Sequence, residues 1–225
     1  NETYRNYITS LNSKMGTQFH IDINADLLYK EVLKAFRSYK KFRIIDQAII
    51  RGGELDHAER CSSERYTFNY SDRILEITND RLGPHGDPEF EVQRIFVIRE
   101  NELLDPKCRK TVQNVIKAIL ETSHGVGNDR HVNKVVVPSD EKFKNMRNRL
   151  HEMKDVVIIQ DLSTIMRENI SYNDPGAPPT DSSTGSIIES EGETRKALEF
   201  FRDLYNLATP ANEFLKTLGT LSHEP

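Results

Sequence analysis

The side chains of this chain that can do chemistry come in small, scattered groups. His57 and Cys61 stand at i and i+4 and would share a face if that stretch is helical. A closed zinc site needs four such ligands, and two at this spacing arise easily by chance. His85 and Asp87, within Gly83-Pro-His-Gly-Asp-Pro88, need ligands from elsewhere, so that stretch reads as a turn. Ser123 to His131 is glycine-rich and offers backbone N–H groups to an anion. It lacks the Lys-Ser/Thr pair of a phosphate loop and follows a helical pattern instead of joining strand to helix, so it reads as a plain connection. The pairs Glu89 with Glu91 and Glu189 with Glu191 have no adjacent base and read as surface charge. Neither a metal nor a cofactor is expected.

Composition narrows the class. The 225 residues are 36% hydrophobic and 29% charged, with no Trp and a formal charge of -4. That suits one large soluble domain with a substantial core. A nucleic-acid coat would carry a clustered basic excess, whereas Arg37, Lys40, Lys41 and Arg43 form only a local run, so no direct nucleic-acid binding is expected. No apolar run reaches the roughly 20 residues of a membrane span, and no leader pattern opens the chain. A cytoplasmic setting is therefore expected, with Cys61 and Cys108 reduced, since they are far apart and form no Cys-x-x-Cys pair. The first residue is Asn1 and not Met, so a piece of a longer protein is the expectation.

Apolar periodicity supplies the elements that must position any site. Leu27, Leu28, Val32, Leu33 and Phe36 mark a helix capped by Asn24 or Asp26, and Phe42 to Asp46 reads as a strand. Ile74, Leu75, Thr78 and Leu82 predict a helix capped at Ser71 or Asp72 and ended by Gly83, Pro84, Gly86 and Pro88. Val92 to Ile98 is the strongest strand pattern, and Asp105-Pro106 then starts a helix through Val112, Val115, Ile116 and Ile119. Val132 to Val137 is a strand, and Ser139 or Asp140 opens a charged helix to about His151. Val156 to Ile159 and Thr164 to Asn169 are neighbouring strands. Ser171 to Ser186 is expected to be a mobile loop, and a long helix runs from about Gly192 to Leu207. This order predicts an α/β fold, a layered sheet covered by helices.

Arg94-Ile-Phe-Val-Ile98, Asn101-Glu-Leu-Leu-Asp-Pro106 and Asp155-Val-Val-Ile-Ile-Gln-Asp161, with Ala197 to Phe214 as a closing helix, resemble the phospholipase D-like superfamily over roughly Asp26 to Phe214. The likeness is to its regulatory, sensor-type domains. Active members carry H-x-K-x-x-x-x-D, in which the His attacks phosphorus, the Lys stabilises phosphoryl charge and the Asp supports the site. Aligning Asp161 with the motif Asp puts Lys154 at the His position and Val156 at the Lys position; aligning Gln160 puts Met153 and Asp155 there. Neither register leaves a nucleophile. His131 with Lys134 and His151 with Lys154 are spaced one residue too far, which on a strand sends the two side chains to opposite faces.

The resemblance implies a non-catalytic sensing or interaction domain of a cytoplasmic regulatory protein, forming a homodimer, with a small molecule or a protein as partner. A hydrolase or nuclease built on His131 or His151, and a protein-binding module, are the alternatives. Ligands of layered α/β sheets gather outside strand ends, which nominates Asp46, Arg99, Glu100 and Asp161. The expected organisation is an arm over 1–22, the domain over 23–216 with a mobile insertion at 171–186, and a tail over 217–225.

Overall fold

Strand-forming runs scattered along the whole chain pair into one eight-stranded sheet. The computed structural model describes residues 19–46, 68–123, 130–152, 156–169 and 184–221. The strands are β1 (Phe19–Asn24), β2 (Lys41–Asp46), β3 (Glu91–Val97), β4 (His131–Val136), β5 (Val156–Ile159), β6 (Thr164–Asn169), β7 (Thr184–Glu189) and β8 (Thr209–Pro210). Their order is β1-β7-β6-β5-β2-β3-β4-β8. Strands β2, β3 and β4 are parallel neighbours, and every other pairing is antiparallel. The helices are α1 (Ala25–Ser38), α2 (Phe68–Leu82), α3 (Glu100–Leu104), α4 (Pro106–Ser123), α5 (Arg147–Glu152), α6 (Glu191–Leu207) and α7 (Ala211–Leu221).

Alternation along the strands gives each face its own core. On one face Ile45, Ile95, Val156, Ile158, Ile165 and Ile188 meet Phe200, Phe201 and Leu204 of α6, with Phe143 and Leu150 beside them. On the other face α1 and α2 cover Phe42, Ile44 and Val92, while α4 and α7 cover Phe96 and Val135. The layered α/β arrangement expected from the sequence is thus present. Phe36 and Phe42 stack with ring centroids 4.2 Å apart, and both are fully buried. Each such ring contributes on the order of 1.5–3 kcal/mol by leaving water.

A guanidinium lock fixes the start of the parallel strands. Arg81 at the end of α2 donates to the carbonyl oxygens of Phe36 and Tyr39 and to the Asp87 carboxylate. Arg130, just before β4, donates to the carbonyl oxygens of Asp87 and Leu82. Gly86 permits this turn, because a Cβ there would stand 2.2 Å from the Arg81 carbonyl oxygen.

Several expectations are corrected. The loop expected over Ser171 to Ser186 gives way at Thr184 to β7, an internal strand between β1 and β6; residues 170–183 lie outside the described residues. Strand β1 takes in residues 19–22, assigned above to an arm, and α7 takes in residues 217–221, assigned to a tail. Helix α2 begins at Phe68, so Ser71 and Asp72 lie inside it. Asp140 makes no side-chain cap and opens a 3-10 turn over Glu141–Met146 before α5. The Asp105 cap holds, its Oδ1 accepting from the Cys108 N–H at 2.9 Å. Cys108 is disulfide-bonded and not reduced as expected. The chain's other cysteine, Cys61, lies outside the described residues, as does His57.

Candidate functional site

The face of the parallel strands under α1, α2, α4 and α7 is a small grid. Register places Phe42, Val92 and His131 in one row, Ile44, Arg94 and Asn133 in the next, and Asp46, Phe96 and Val135 in the third. Polar side chains occupy its diagonal, from His131 at the start of β4 through Arg94 to Asp46 at the end of β2, with Asn133 beside Arg94. Apolar residues fill the two corners and belong to separate core clusters. The diagonal is therefore the seam between those clusters.

The seam is buried yet incompletely paired. Arg94 keeps 9% of its side chain exposed and Asp46 keeps 27%, with Arg94 Nε 3.3 Å from Asp46 Oδ2. Despite that ion pair, Arg94 Nε makes no hydrogen bond among the described residues, and neither does Asn133 Oδ1. The Asn133 amide nitrogen lies 3.4 Å from His131 Nε2. Burial, reinforced by the positive charge of Arg94, lowers the His131 pKa to about 4. The imidazole is therefore neutral at pH 7, so Nε2 can accept from the amide. A donor and an acceptor remain on adjacent strands, in one row of the grid.

The opposite face shows a satisfied counterpart. Arg43 pairs with Glu91 at 2.9 Å, Gln93 donates to Glu91 at 2.8 Å, and Lys134 donates to the Tyr205 carbonyl oxygen at 2.9 Å. The Lys134 ammonium also stands 4.0 Å from the Tyr205 ring centroid. Burial lowers the Lys134 pKa and raises that of Tyr205. Lys134 is paired with Ile95, on the face away from His131, so no bulge brings that His and Lys together. His151 lies in α5, and Lys154 lies outside the described residues.

Of the nominated residues, Asp46, Arg99 and Glu100 share the C-terminal end of the parallel strands. Arg99 precedes α3, its N–H donating to Glu102 Oε2 at 2.8 Å; both Arg99 and Glu100 are exposed. Asp161 does not join them. Because β5 runs antiparallel to β2, with Phe42 opposite Ile159, Asp161 falls at the far end of the sheet. There its Oδ2 accepts from the backbone N–H groups of Lys40 at 2.7 Å and Lys41 at 3.0 Å, a structural clasp on β2.

Sequence reasoning passed over Arg94 and Asn133 and set His131 aside. The signals were an arginine inside Val-Gln-Arg-Ile-Phe-Val-Ile and a polar pair two apart, His131-x-Asn133, on one face of a strand. Among the described residues no three His, Cys, Asp or Glu side chains converge on a metal position, and no helix is long and apolar enough to cross a membrane.

No protein-family model matches the chain, and no curated protein matches it in sequence. Its backbone course is similar to that of solved structures. One is NucT from Helicobacter pylori, with 9% identity and a TM-score of 0.47 over 86% of this chain and 99% of that one. Another is Nuc from Salmonella typhimurium, a phospholipase D family member, with 10% identity and a TM-score of 0.43 over 86% and 98%. A third is TrmBL2, an archaeal chromatin protein whose structure shows a novel mode of DNA binding, with 10% identity and a TM-score of 0.44. The match covers 93% of this chain but 63% of the length of TrmBL2.

Proposed function

We propose that this is a non-catalytic, phospholipase D-like domain that senses a small ligand within a cytoplasmic regulatory protein. The observation that carries the reading is Val156. In the Asp161 register Val156 occupies the catalytic Lys position, and it is 4% exposed in the apolar core with Ile158, Ile165 and Ile188. An ammonium there would have neither water nor a partner, so the chemistry of the motif has no foothold at that position.

The ligand would enter at the C-terminal end of β2 and β3, where Asp46 is part-exposed and Arg99 and Glu100 form the rim. A homodimer belongs to the same reading, by analogy with active relatives that build one site from two copies. The cytoplasmic setting belongs to the same reading, although a disulfide at Cys108 is the less usual state in that compartment.

The test joins two measurements on the whole chain. Hydrolysis of bis(p-nitrophenyl) phosphate is followed with and without divalent metal, and thermal shifts are recorded against nucleotides, sugars and phospholipid head groups. The expected result is no hydrolysis and stabilisation by a specific compound class. Hydrolysis lost on His131→Ala or His151→Ala would establish an enzyme, and uniformly flat melting curves would favour a protein-binding surface over a pocket.

A further inference from the structure

We propose that β1 is a self-complementary docking edge, to which a second copy of this chain adds its own β1, antiparallel, about a two-fold axis through Ile21. The inference rests on the homodimer in the reading above and names the surface that reading leaves open.

The two edges of the sheet are built differently. At one end β8 has only two residues, Thr209 and Pro210, and proline has no N–H to offer a further strand. At the other end β1 runs for six residues, Phe19–Asn24, in an unbroken ladder with β7. It carries no proline, lysine or bulge, the devices that keep an edge from being extended. Among the described residues nothing pairs with its outer side. Alternate residues of a strand in an antiparallel pair turn their N–H and C=O groups away from the neighbour, so β1 offers a row of both to a further strand.

The side chains choose the partner and the register. Ile21 and Ile23 are half-buried on the α1 face, where Ile23 packs against the cluster that holds Leu28 and Val32. His20 and Asp22 take the other face, with 52% and 74% of their side chains exposed and His20 Nε2 3.3 Å from Asp22 Oδ1. A two-fold axis normal to the sheet keeps like faces together. Centred on Ile21, it sets that residue against Ile21 of the partner subunit, His20 against the partner's Asp22, and Asp22 against the partner's His20. Both polar pairs then match an imidazole donor to a carboxylate across the strands. Centring on Asp22 would oppose two carboxylates, and a slip of one residue would put the isoleucines of the two copies on opposite faces. An unrelated strand would lack this reciprocity, so a second copy is the occupant the edge specifies. A six-residue ladder is a small interface, which makes the association reversible and dependent on concentration.

Sedimentation velocity of the intact chain over a range of concentrations is expected to show a monomer–dimer equilibrium. His20→Asp sets carboxylates against each other in both cross-strand pairs and is expected to weaken association about tenfold or more. Adding Asp22→Lys to it restores opposite charges and is expected to recover association. Both positions are exposed, and melting curves establish that the variants fold. Ile21→Cys, on the axis, is expected to form a disulfide between copies under mild oxidation, since directly opposed residues have Cα atoms about 4.5–5.5 Å apart. Ile23→Cys is the control, because the two copies of that position are offset by four residues, roughly 13 Å. A chain that stays monomeric at every concentration overturns the inference together with the homodimer. A dimer that His20→Asp leaves intact, or one cross-linked at Ile23 and not at Ile21, overturns the β1 pairing and leaves the homodimer standing. Ligand sensing is read separately, from the melting curves with added compounds.

Discussion

Arg94 Nε lies 3.3 Å from Asp46 Oδ2 but makes no hydrogen bond among the described residues, so the two are held together by charge and by the strands that carry them. Asp46→Ala leaves the guanidinium buried without its counter-charge. The expected cost is about 3 kcal/mol, the lower end for breaking a buried pair, because Asp46 is part-exposed. Replacing both, as Arg94→Met with Asp46→Leu, is expected to restore stability to near the parent or above it. Urea unfolding of the parent, the single and the double variant checks this. A double variant as weak as the single one would mean that the charge pair is not the reason for the loss.

His131 makes stability depend on pH in a definite direction. Its folded pKa is about 4, lowered by burial and by Arg94, against about 6.5 in an unfolded chain. Between those values the unfolded state binds the extra proton, so stability is full above about pH 6.5 and declines as the pH falls toward 4. The loss attributable to this group is on the order of 3 kcal/mol. His131→Gln is expected to flatten that part of the profile relative to the parent. Unfolding curves at intervals across the window measure the difference, and parallel profiles would remove His131 as the cause.

The same grid shows how far local sequence pattern reaches. Helices α1, α4 and α6 and strands β2, β3 and β4 were legible because their apolar residues recur at helical or strand spacing, and because Asp105-Pro106 is a strong local start signal. Strand β7 was not legible. Thr-Gly-Ser-Ile-Ile-Glu follows a stretch rich in Pro, Ser and Gly and gains its place only by pairing with β1 and β6. Asp46, Arg99 and Glu100 lie at one strand end and Asp161 at the other, since strand direction is a property of topology. Arg94 and Asn133 were missed for a related reason. Their meeting depends on the register of two strands nearly forty residues apart, which no single segment encodes.

Asp161 should affect stability and leave ligand binding untouched. Its carboxylate accepts from two successive backbone N–H groups, at Lys40 and Lys41, as a helix cap does. Asp161→Ala is expected to cost about 1 kcal/mol in chemical denaturation. Titration with whichever compound stabilises the parent should give the same affinity. A weakened affinity would return Asp161 to the site.

Gly185 is a packing requirement of β7. A Cβ at this position would lie 2.6 Å from Leu28 Cδ2 and 2.9 Å from Leu28 Cβ, so α1 can rest on the strand only if the side chain is absent. Gly185→Ala is expected to destabilise by about 1–3 kcal/mol. In a Leu28→Ala background the same change should cost less, because the nearest atom, Cδ2, is gone and only the 2.9 Å approach of Cβ remains. A double-mutant cycle read by thermal unfolding tests this, and additive costs would show that Leu28 is not the obstacle.

Val156→Lys tests the proposed reading directly, because it places at this position the residue type that the resemblance to phospholipase D-like enzymes implies for catalysis. The side chain would enter a cluster of Ile45, Ile95, Ile158, Ile165 and Ile188. Burying an unpaired ammonium there costs several kcal/mol unless it loses its proton or pushes the strands apart. The expected outcome is a markedly less stable chain that still fails to hydrolyse bis(p-nitrophenyl) phosphate. Thermal unfolding and the hydrolysis assay are read together. A variant that stays as stable as the parent would mean that this position can hold an ammonium after all. The sensing reading would then fall.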